Sequence, residues 1–148
     1  MRTAVFFLSL LFSILVNKSE AQSSKDTLTS NAVARDYIQS VKNTDFKKMR
    51  FILSNTALVK VARAGKVITV TRDQLLEDMK DWKGVQQNFE YTYSTICSSD
   101  AVSIAKVTLK YPFFTLDEYL IIEKQEERWK ITQVVKVYRD PTEIIGQN

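Results

Sequence analysis

Apolar and polar residues alternate along four long stretches in the second half of the chain. An alternation of period two places successive side chains on opposite faces of a β-strand, so each stretch predicts a strand with one face turned toward a core. The predicted inner-face residues are Phe89, Tyr91, Tyr93, Thr95 and Cys97; then Ala105, Val107, Leu109 and Tyr111; then Phe114, Leu116, Glu118, Leu120 and Ile122; and finally Trp129, Ile131, Gln133, Val135 and Val137.

The first half of the chain has the spacing of short helices. Val33, Tyr37 and Val41 recur every four residues and predict one apolar helical stripe. A second short helix is expected to follow, capped by Thr44, with its buried side supplied by Phe46, Met49, Ile52 and Leu53.

A hairpin and a third helix are predicted between these helices and the long strands. β-Branched runs at 57–62 and 66–70 flank Arg63-Ala64-Gly65, a turn that a glycine can close. Thr71 and Gln74 have the spacing of a capping box at a helix start. The apolar stripe of that helix is Leu75, Met79 and Trp82.

The order of these elements predicts an α+β fold. Helices that precede four long antiparallel strands must cover one face of a single sheet, because each element needs a partner for its apolar side. We therefore expect a half-open roll, in which a curved antiparallel sheet wraps around the N-terminal helices.

The N-terminus has the pattern of a secretory signal peptide. An arginine precedes an apolar run at 4–16, and small residues stand at positions 19 and 21. The run is about half as long as a membrane-spanning helix. We expect cleavage before Gln22, export to the periplasm or extracellular space, and no membrane contact afterwards. Residues 22–30 are then a polar tether, 31–141 the domain and 142–148 a C-terminal tail.

Charge and composition exclude several functions. Loss of Arg2, Lys18 and Glu20 with the signal peptide lowers the net charge from +4 to +3, and the basic residues are scattered, so nucleic-acid binding is not expected. The chain has no histidine, which removes most zinc sites and the Ser-His and Cys-His nucleophile pairs. We expect no metal, no cofactor and no internal disulfide. Cys97, the single cysteine, is expected to be buried.

Three segments carry a resemblance to a known family. These are YIQSVKNTDFKKM, RDQLLEDMKDW and AKVTLKYPFFTLDEYLIIEKQEERWKITQVVKVYRDP. The likeness extends over roughly residues 31 to 141. The chain resembles the nuclear transport factor 2-like superfamily, and within it the bacterial branch named "Putative lumazine-binding". The resemblance implies a cone-shaped fold with a cavity between sheet and helix, and a homodimer formed across the sheet. The superfamily includes ketosteroid isomerases, scytalone dehydratase and polyketide cyclases, but this sequence lacks the histidine that several of those enzymes use.

The inner faces and the implied cone together predict an apolar, aromatic-lined pocket. A few convergent polar groups in such a pocket are typical of a small-molecule site. Its expected lining is Tyr37, Trp82, Tyr91, Tyr93, Tyr111, Glu118, Trp129 and Gln133. The alternative is that the aromatic side chains fill the core and leave no cavity.

Glu118 is the candidate catalytic residue. Its neighbours on the same strand face are apolar, and an unpartnered buried carboxyl group favours its protonated form, as a general acid or base near neutrality requires. Alternatively, Glu118 reaches the cavity mouth or pairs with a lysine or arginine. Gln133 on the neighbouring strand is expected to orient Glu118 or to hold a ligand carbonyl.

Three functions stay open at this point. The first is a non-catalytic exported domain that binds a small apolar or flat aromatic ligand. The second is an isomerase or dehydratase with Glu118 as base and Tyr91 or Tyr93 as donor to an oxyanion. The third is an association module whose dimer surface matters more than its pocket. The missing histidine and the lack of a second acid in the expected pocket favour binding.

Overall fold

The computed structural model describes residues 28–139, which form three helices and six strands. The predicted signal peptide and C-terminal tail lie outside the described residues. The elements are α1 (Ser30–Asn43), α2 (Phe46–Ile52), β1 (Leu53–Arg63), β2 (Lys66–Thr71), α3 (Arg72–Asp81), β3 (Glu90–Ser98), β4 (Val102–Lys110), β5 (Thr115–Gln125) and β6 (Arg128–Arg139). Among the described residues, none of the helices is long and apolar enough to cross a membrane.

Side-chain caps fix where the helices begin. Thr29 Oγ1 accepts a hydrogen bond from the Ala32 amide at the start of α1, and α3 has the predicted capping box between Thr71 and Gln74. The cap of α2 is Asp45, whose carboxylate accepts from two amides. Thr44, the expected cap, instead ends α1 in a left-handed conformation with φ 49°. The predicted cap of α2 was therefore one residue too early.

All six strands belong to one curved sheet with the order β2-β1-β6-β5-β4-β3. The hairpin of β1 and β2 closes through Ala64 and Gly65, both with positive φ. Every pairing is antiparallel except that of β1 with β6, which is parallel. The roll is therefore mixed rather than purely antiparallel, because α3 and residues 82–89 carry the chain from the hairpin to β3 at the far edge of the sheet.

Two β-bulges change which side chains face the core. On β6, Ile131 pairs with Ile122 but Gln133 pairs with Ile121, so Thr132 is an extra residue. On β3, Thr95 pairs with Ala105 and Cys97 with Ile104, so Ile96 is the extra residue. A bulge reverses the alternation beyond it. The faces predicted for the ends of these two strands are consequently wrong.

The core lies between the concave face of the sheet and the helices. Val33, Tyr37 and Ile38 of α1 are almost completely buried against it. The sheet contributes buried residues at the predicted positions of β4 and β5, namely Ala105, Val107, Leu109, Leu116, Leu120 and Ile122. The space between these strands and α1 is thus filled by packed side chains.

Candidate functional site

A buried ion pair crosses β5 and β6 on the concave face of the sheet. Glu118 pairs with Lys136 across the two strands, and its Oε1 lies 2.8 Å from Lys136 Nζ. Glu118 is 0% exposed, and the Lys136 side chain is 18% exposed. Within residues 28–139, neither carboxylate oxygen has a hydrogen-bond partner of good geometry. Lys136 therefore supplies the main compensation for a fully desolvated carboxylate.

Tyr37 of α1 shares this buried environment. Burial, and then the charge of Glu118, raise the pKa of the Tyr37 phenol above its ordinary value of 10.0. Burial acts to lower the pKa of Lys136, but the attraction of Glu118 outweighs it and raises that pKa above 10.5. Tyr37 is therefore a neutral hydrogen-bonding group and Lys136 a permanent cation at neutral pH.

A small cavity of about 110 Å³ opens beside this cluster. Lys136 and Tyr37 form part of its wall, together with the polar residues Thr44 and Gln87. The remaining wall is apolar and consists of Val41, Met49, Leu75 and Met79. Four residues with polar side chains thus share the wall of a space whose other sides are aliphatic, and a few polar groups in a mainly apolar wall are typical of a small-molecule site.

An aromatic stack supports the polar side of the cavity. Tyr111 donates a hydrogen bond of 2.5 Å to Gln87 Oε1, which fixes the orientation of the Gln87 amide. The Tyr111 ring stacks on Phe114 with ring centres 4.5 Å apart and also contacts Phe89. Burial, and then the charge of Glu118, raise the pKa of Tyr111 to about 12. Tyr111 is therefore neutral, and its hydroxyl group, as a hydrogen-bond donor, positions Gln87.

The structure does not bring the eight predicted pocket residues together. Tyr37 lines the cavity, Glu118 lies behind Lys136, and Tyr111 contacts Gln87. Tyr93 lies at the other end of α1, where its hydroxyl donates to Asn31. Tyr91 is 45% exposed, which places much of its ring outside the core.

Three further sequence expectations need correction. Trp82 is 65% exposed because α3 ends at Asp81 and the helical stripe does not continue to it. The bulge at Thr132 places Gln133 opposite Ile121, on the convex face of the sheet and away from Glu118. Cys97 is exposed because the bulge at Ile96 turns the end of β3.

Trp129, the last of the predicted pocket residues, does not line the cavity at Lys136. It is half-buried at the start of β6 and lines a separate groove near the turn between β5 and β6. That groove and the cavity at Lys136 occupy opposite ends of β6.

Sequence reasoning missed Lys136, Gln87 and Thr44. Strict alternation assigns Lys136 to the convex face, and only the bulge at Thr132 turns it inward. One signal was available, since an inward glutamate between leucines requires a cation on an adjacent strand. Gln87 and Thr44 lie outside regular elements, where side-chain direction has no period to follow.

The sequence matches the model of one protein family and resembles many solved structures. The family, described as "Putative lumazine-binding", matches residues 25–139. A search of curated proteins found no match.

The similar structures share the nuclear transport factor 2-like fold predicted from sequence. An NTF2-like protein of unknown function from Silicibacter pomeroyi DSS-3 is 18% identical, with a TM-score of 0.61 over 74% of this chain and 91% of that one. A ketosteroid isomerase-like protein from Erwinia carotovora atroseptica SCRI1043 is 11% identical, with a TM-score of 0.63 over 80% and 99%. An uncharacterized protein with a cystatin-like fold from Caulobacter vibrioides is 14% identical, with a TM-score of 0.62 over 79% and 92%. At these identities the likeness shows the fold alone.

Proposed function

Because the chain belongs to the "Putative lumazine-binding" family, we propose that it is an exported, non-catalytic domain that binds lumazine or a similar flat bicyclic heterocycle in the cavity at Lys136. The observation that carries the proposal is the convergence of Lys136, Tyr37 and Gln87 on one cavity with aliphatic sides. The family name supplies the ligand class.

The polar edge of a lumazine ring suits this set of groups. Its carbonyl oxygens accept hydrogen bonds, and Lys136 and the amide nitrogen of Gln87 are donors. A charged donor is the stronger of the two, because a hydrogen bond to an ionised group contributes about 1.5–3 kcal/mol. The faces of the ring would lie against the aliphatic side chains of Val41, Leu75 and Met79.

Binding requires the cavity to widen. Its volume of about 110 Å³ is smaller than the ~300 Å³ typical of a site for a drug-sized ligand. Leu75 and Met79 form its movable side, since both lie on α3 and are half-buried. Methionine is unbranched and adapts readily to a ligand surface. We propose that the ring enters between α1 and α3 by displacing these two side chains.

The ion pair favours binding over catalysis. A general base needs a carboxylate free to take a proton from the substrate, whereas Glu118 is held 2.8 Å from Lys136 and is not part of the cavity wall. Glu118 acts in this account as a positioning residue that keeps Lys136 charged and directed along the wall. The isomerase or dehydratase alternative has no specific observation in its favour.

Export and dimerisation complete the proposal. Export rests on the signal-peptide pattern of residues 1–21. A homodimer across the convex face of the sheet is supported by the apolar and aromatic side chains on that face, including Tyr119, Ile121, Val135 and Val137, all half-buried in the single chain. A partner that covered them would remove their remaining apolar surface from water.

Isothermal titration of the protein with lumazine tests the proposed ligand. A change of Lys136 alone strands Glu118, so the informative variant replaces the pair with apolar residues of similar length, Glu118→Leu together with Lys136→Met. The account predicts binding by the wild type and an affinity about tenfold to a hundredfold weaker in this variant. Lys110→Met, an exposed lysine on β4, is the matched control and should bind normally. Absence of binding by the wild type, or equal affinity in the double variant, would contradict the proposal.

A further inference from the structure

An open groove of about 1230 Å³ lies at the other end of the molecule from Lys136. It runs between the end of α2 and the turn from β5 to β6. Its wall includes four basic and two aromatic side chains, namely Lys47, Arg50, Phe51, Arg128, Trp129 and Lys130. Lys130 and Lys136 are six residues apart on one strand, which separates the groove from the cavity by about 20 Å.

The groove carries unbalanced positive charge. Within residues 28–139, no carboxylate lies within ion-pair distance of Lys47, Arg50, Arg128 or Lys130. Two acidic residues, Glu126 and Glu127, also line the groove. Glu127 already pairs with Lys124 at 3.3 Å and its side chain is mostly in solvent. The four cations thus face two carboxylates, of which Glu127 is already paired with a lysine outside the groove wall.

Contacts with Phe51 hold the Lys130 side chain in place on the basic wall of the groove. Its ammonium group lies 4.4 Å from the centre of the Phe51 ring and donates to the Phe51 carbonyl. Burial, and then the neighbouring charges of Arg128 and Arg72, lower the pKa of Lys130. Arg72 in turn donates to the Arg50 carbonyl at 3.1 Å and so adds a further cation beside α2. The crowding of like charges would be relieved by a bound anion.

The aromatic side chains give the groove flat apolar surface next to these cations. Phe51 lines the groove and is 55% exposed. Trp129 is half-buried on the same wall. We propose that this groove is a second binding site, which takes a small organic anion, a carboxylate or a phosphate, that carries a flat apolar ring.

Both halves of the proposed ligand have a partner in the groove. The anionic group is held by Arg50, Arg128 and Lys130, with guanidinium groups suited to two-point contact with carboxylate or phosphate. The ring lies against Phe51 and Trp129. A neutral molecule with the same ring keeps the second contact and loses the first.

The indole N–H signals of the two tryptophans in ¹⁵N-labelled protein provide the test. Trp129 lines the groove, and Trp82 at the end of α3 serves as an internal reference. Titration with 2-naphthoate should shift the Trp129 signal and leave the Trp82 signal in place. The neutral 2-naphthamide should bind about fivefold to tenfold more weakly.

Variants separate a built site from general attraction to a basic protein. Arg50→Gln together with Arg128→Gln changes two exposed side chains and should weaken naphthoate binding about fivefold to tenfold. Lys110→Gln removes a positive charge at the end of β4, next to the start of β5 and far from the groove, and should not change naphthoate binding. Equal binding of the acid and the amide, equal shifts at both tryptophans, no shift at Trp129, or equal losses in both variants would each overturn the proposal.

Discussion

Glu118 and Lys136 face each other on neighbouring strands, 2.8 Å apart, inside the concave face of the sheet. The pair joins a fully desolvated carboxylate to a cation that also forms part of a cavity wall. Removing one member of such a pair leaves the other buried and uncompensated. The same contact therefore links the stability of the fold to the chemistry of the candidate site.

Replacing Glu118 alone should destabilise the protein strongly. Glu118→Leu strands the Lys136 ammonium and should lower the free energy of unfolding by about 3–5 kcal/mol, whereas Glu118→Leu with Lys136→Met should recover most of this loss. Urea midpoints of the wild type and both variants decide the question. Glu90→Leu, at an exposed position on β3, should shift the free energy by less than about 0.5 kcal/mol and is the control. An unchanged midpoint in the single variant would show that the pair does not compensate Glu118.

Stability should fall at alkaline pH. The pKa values of Tyr37, Tyr111 and Lys136 are all raised in the folded protein, that of Tyr111 from 10.0 to about 12. Above pH 10 the unfolded chain releases these protons while the native state keeps them, so unfolding becomes more favourable as pH rises. The contribution of Tyr111 is complete below pH 10 and is lost by about pH 12.

Urea midpoints measured from neutrality to pH 12 test this dependence. Tyr111→Phe removes one of the three groups and should flatten the decline between pH 10 and 12. A wild-type midpoint that stays constant across that interval is incompatible with the raised pKa values.

The sequence predicts those features of the fold that depend on residues within one helix or strand better than those that depend on distant parts of the chain. The capping box of Thr71 and Gln74 and the inner face of β4 follow from residues within one element, and both are confirmed. Thr44 shows the limit, since Asp45 competes for the same capping role one residue later. The parallel pairing of β1 with β6 depends on where the chain crosses the sheet, which no local pattern specifies.

The candidate site was predicted less well because it depends on bulges. The extra residue at Thr132 turns Lys136 inward and Gln133 outward. Because Val134 and Val135 are both apolar, one valine faces the core whether or not the strand contains the bulge. Alternation alone therefore could not identify the partner of Glu118, although it placed Glu118 on the inner face of β5, where the carboxylate is buried. Gln87 lies between α3 and β3, where periodicity gives no direction.

Cys97 should react in the folded protein. The bulge at Ile96 leaves this cysteine exposed, and a free exposed thiol is open to a thiol reagent. An aromatic disulfide reagent should release one coloured thiolate per chain without denaturant. Colour that develops only after unfolding would mean that Cys97 is covered, for example by a second copy of the chain.

We expect signal-peptide cleavage to give a mature protein that begins at Gln22. Small residues at positions 19 and 21 follow a short apolar run, as a signal peptidase requires. The intact mass of protein collected outside the cytoplasm should equal that of residues 22–148. A product that retains residues 1–21 would indicate an anchored protein instead.

The most direct test of the account uses the methionine methyl groups. Methionine occurs only at positions 1, 49 and 79, and both Met49 and Met79 line the cavity at Lys136. In protein labelled with ¹³C at these methyl groups, saturating lumazine should shift the Met49 and Met79 signals and produce nuclear Overhauser contacts from both to the ring. Unchanged Met49 and Met79 signals at lumazine concentrations that give a calorimetric response would place the ligand elsewhere and contradict the assignment of the cavity as the binding site.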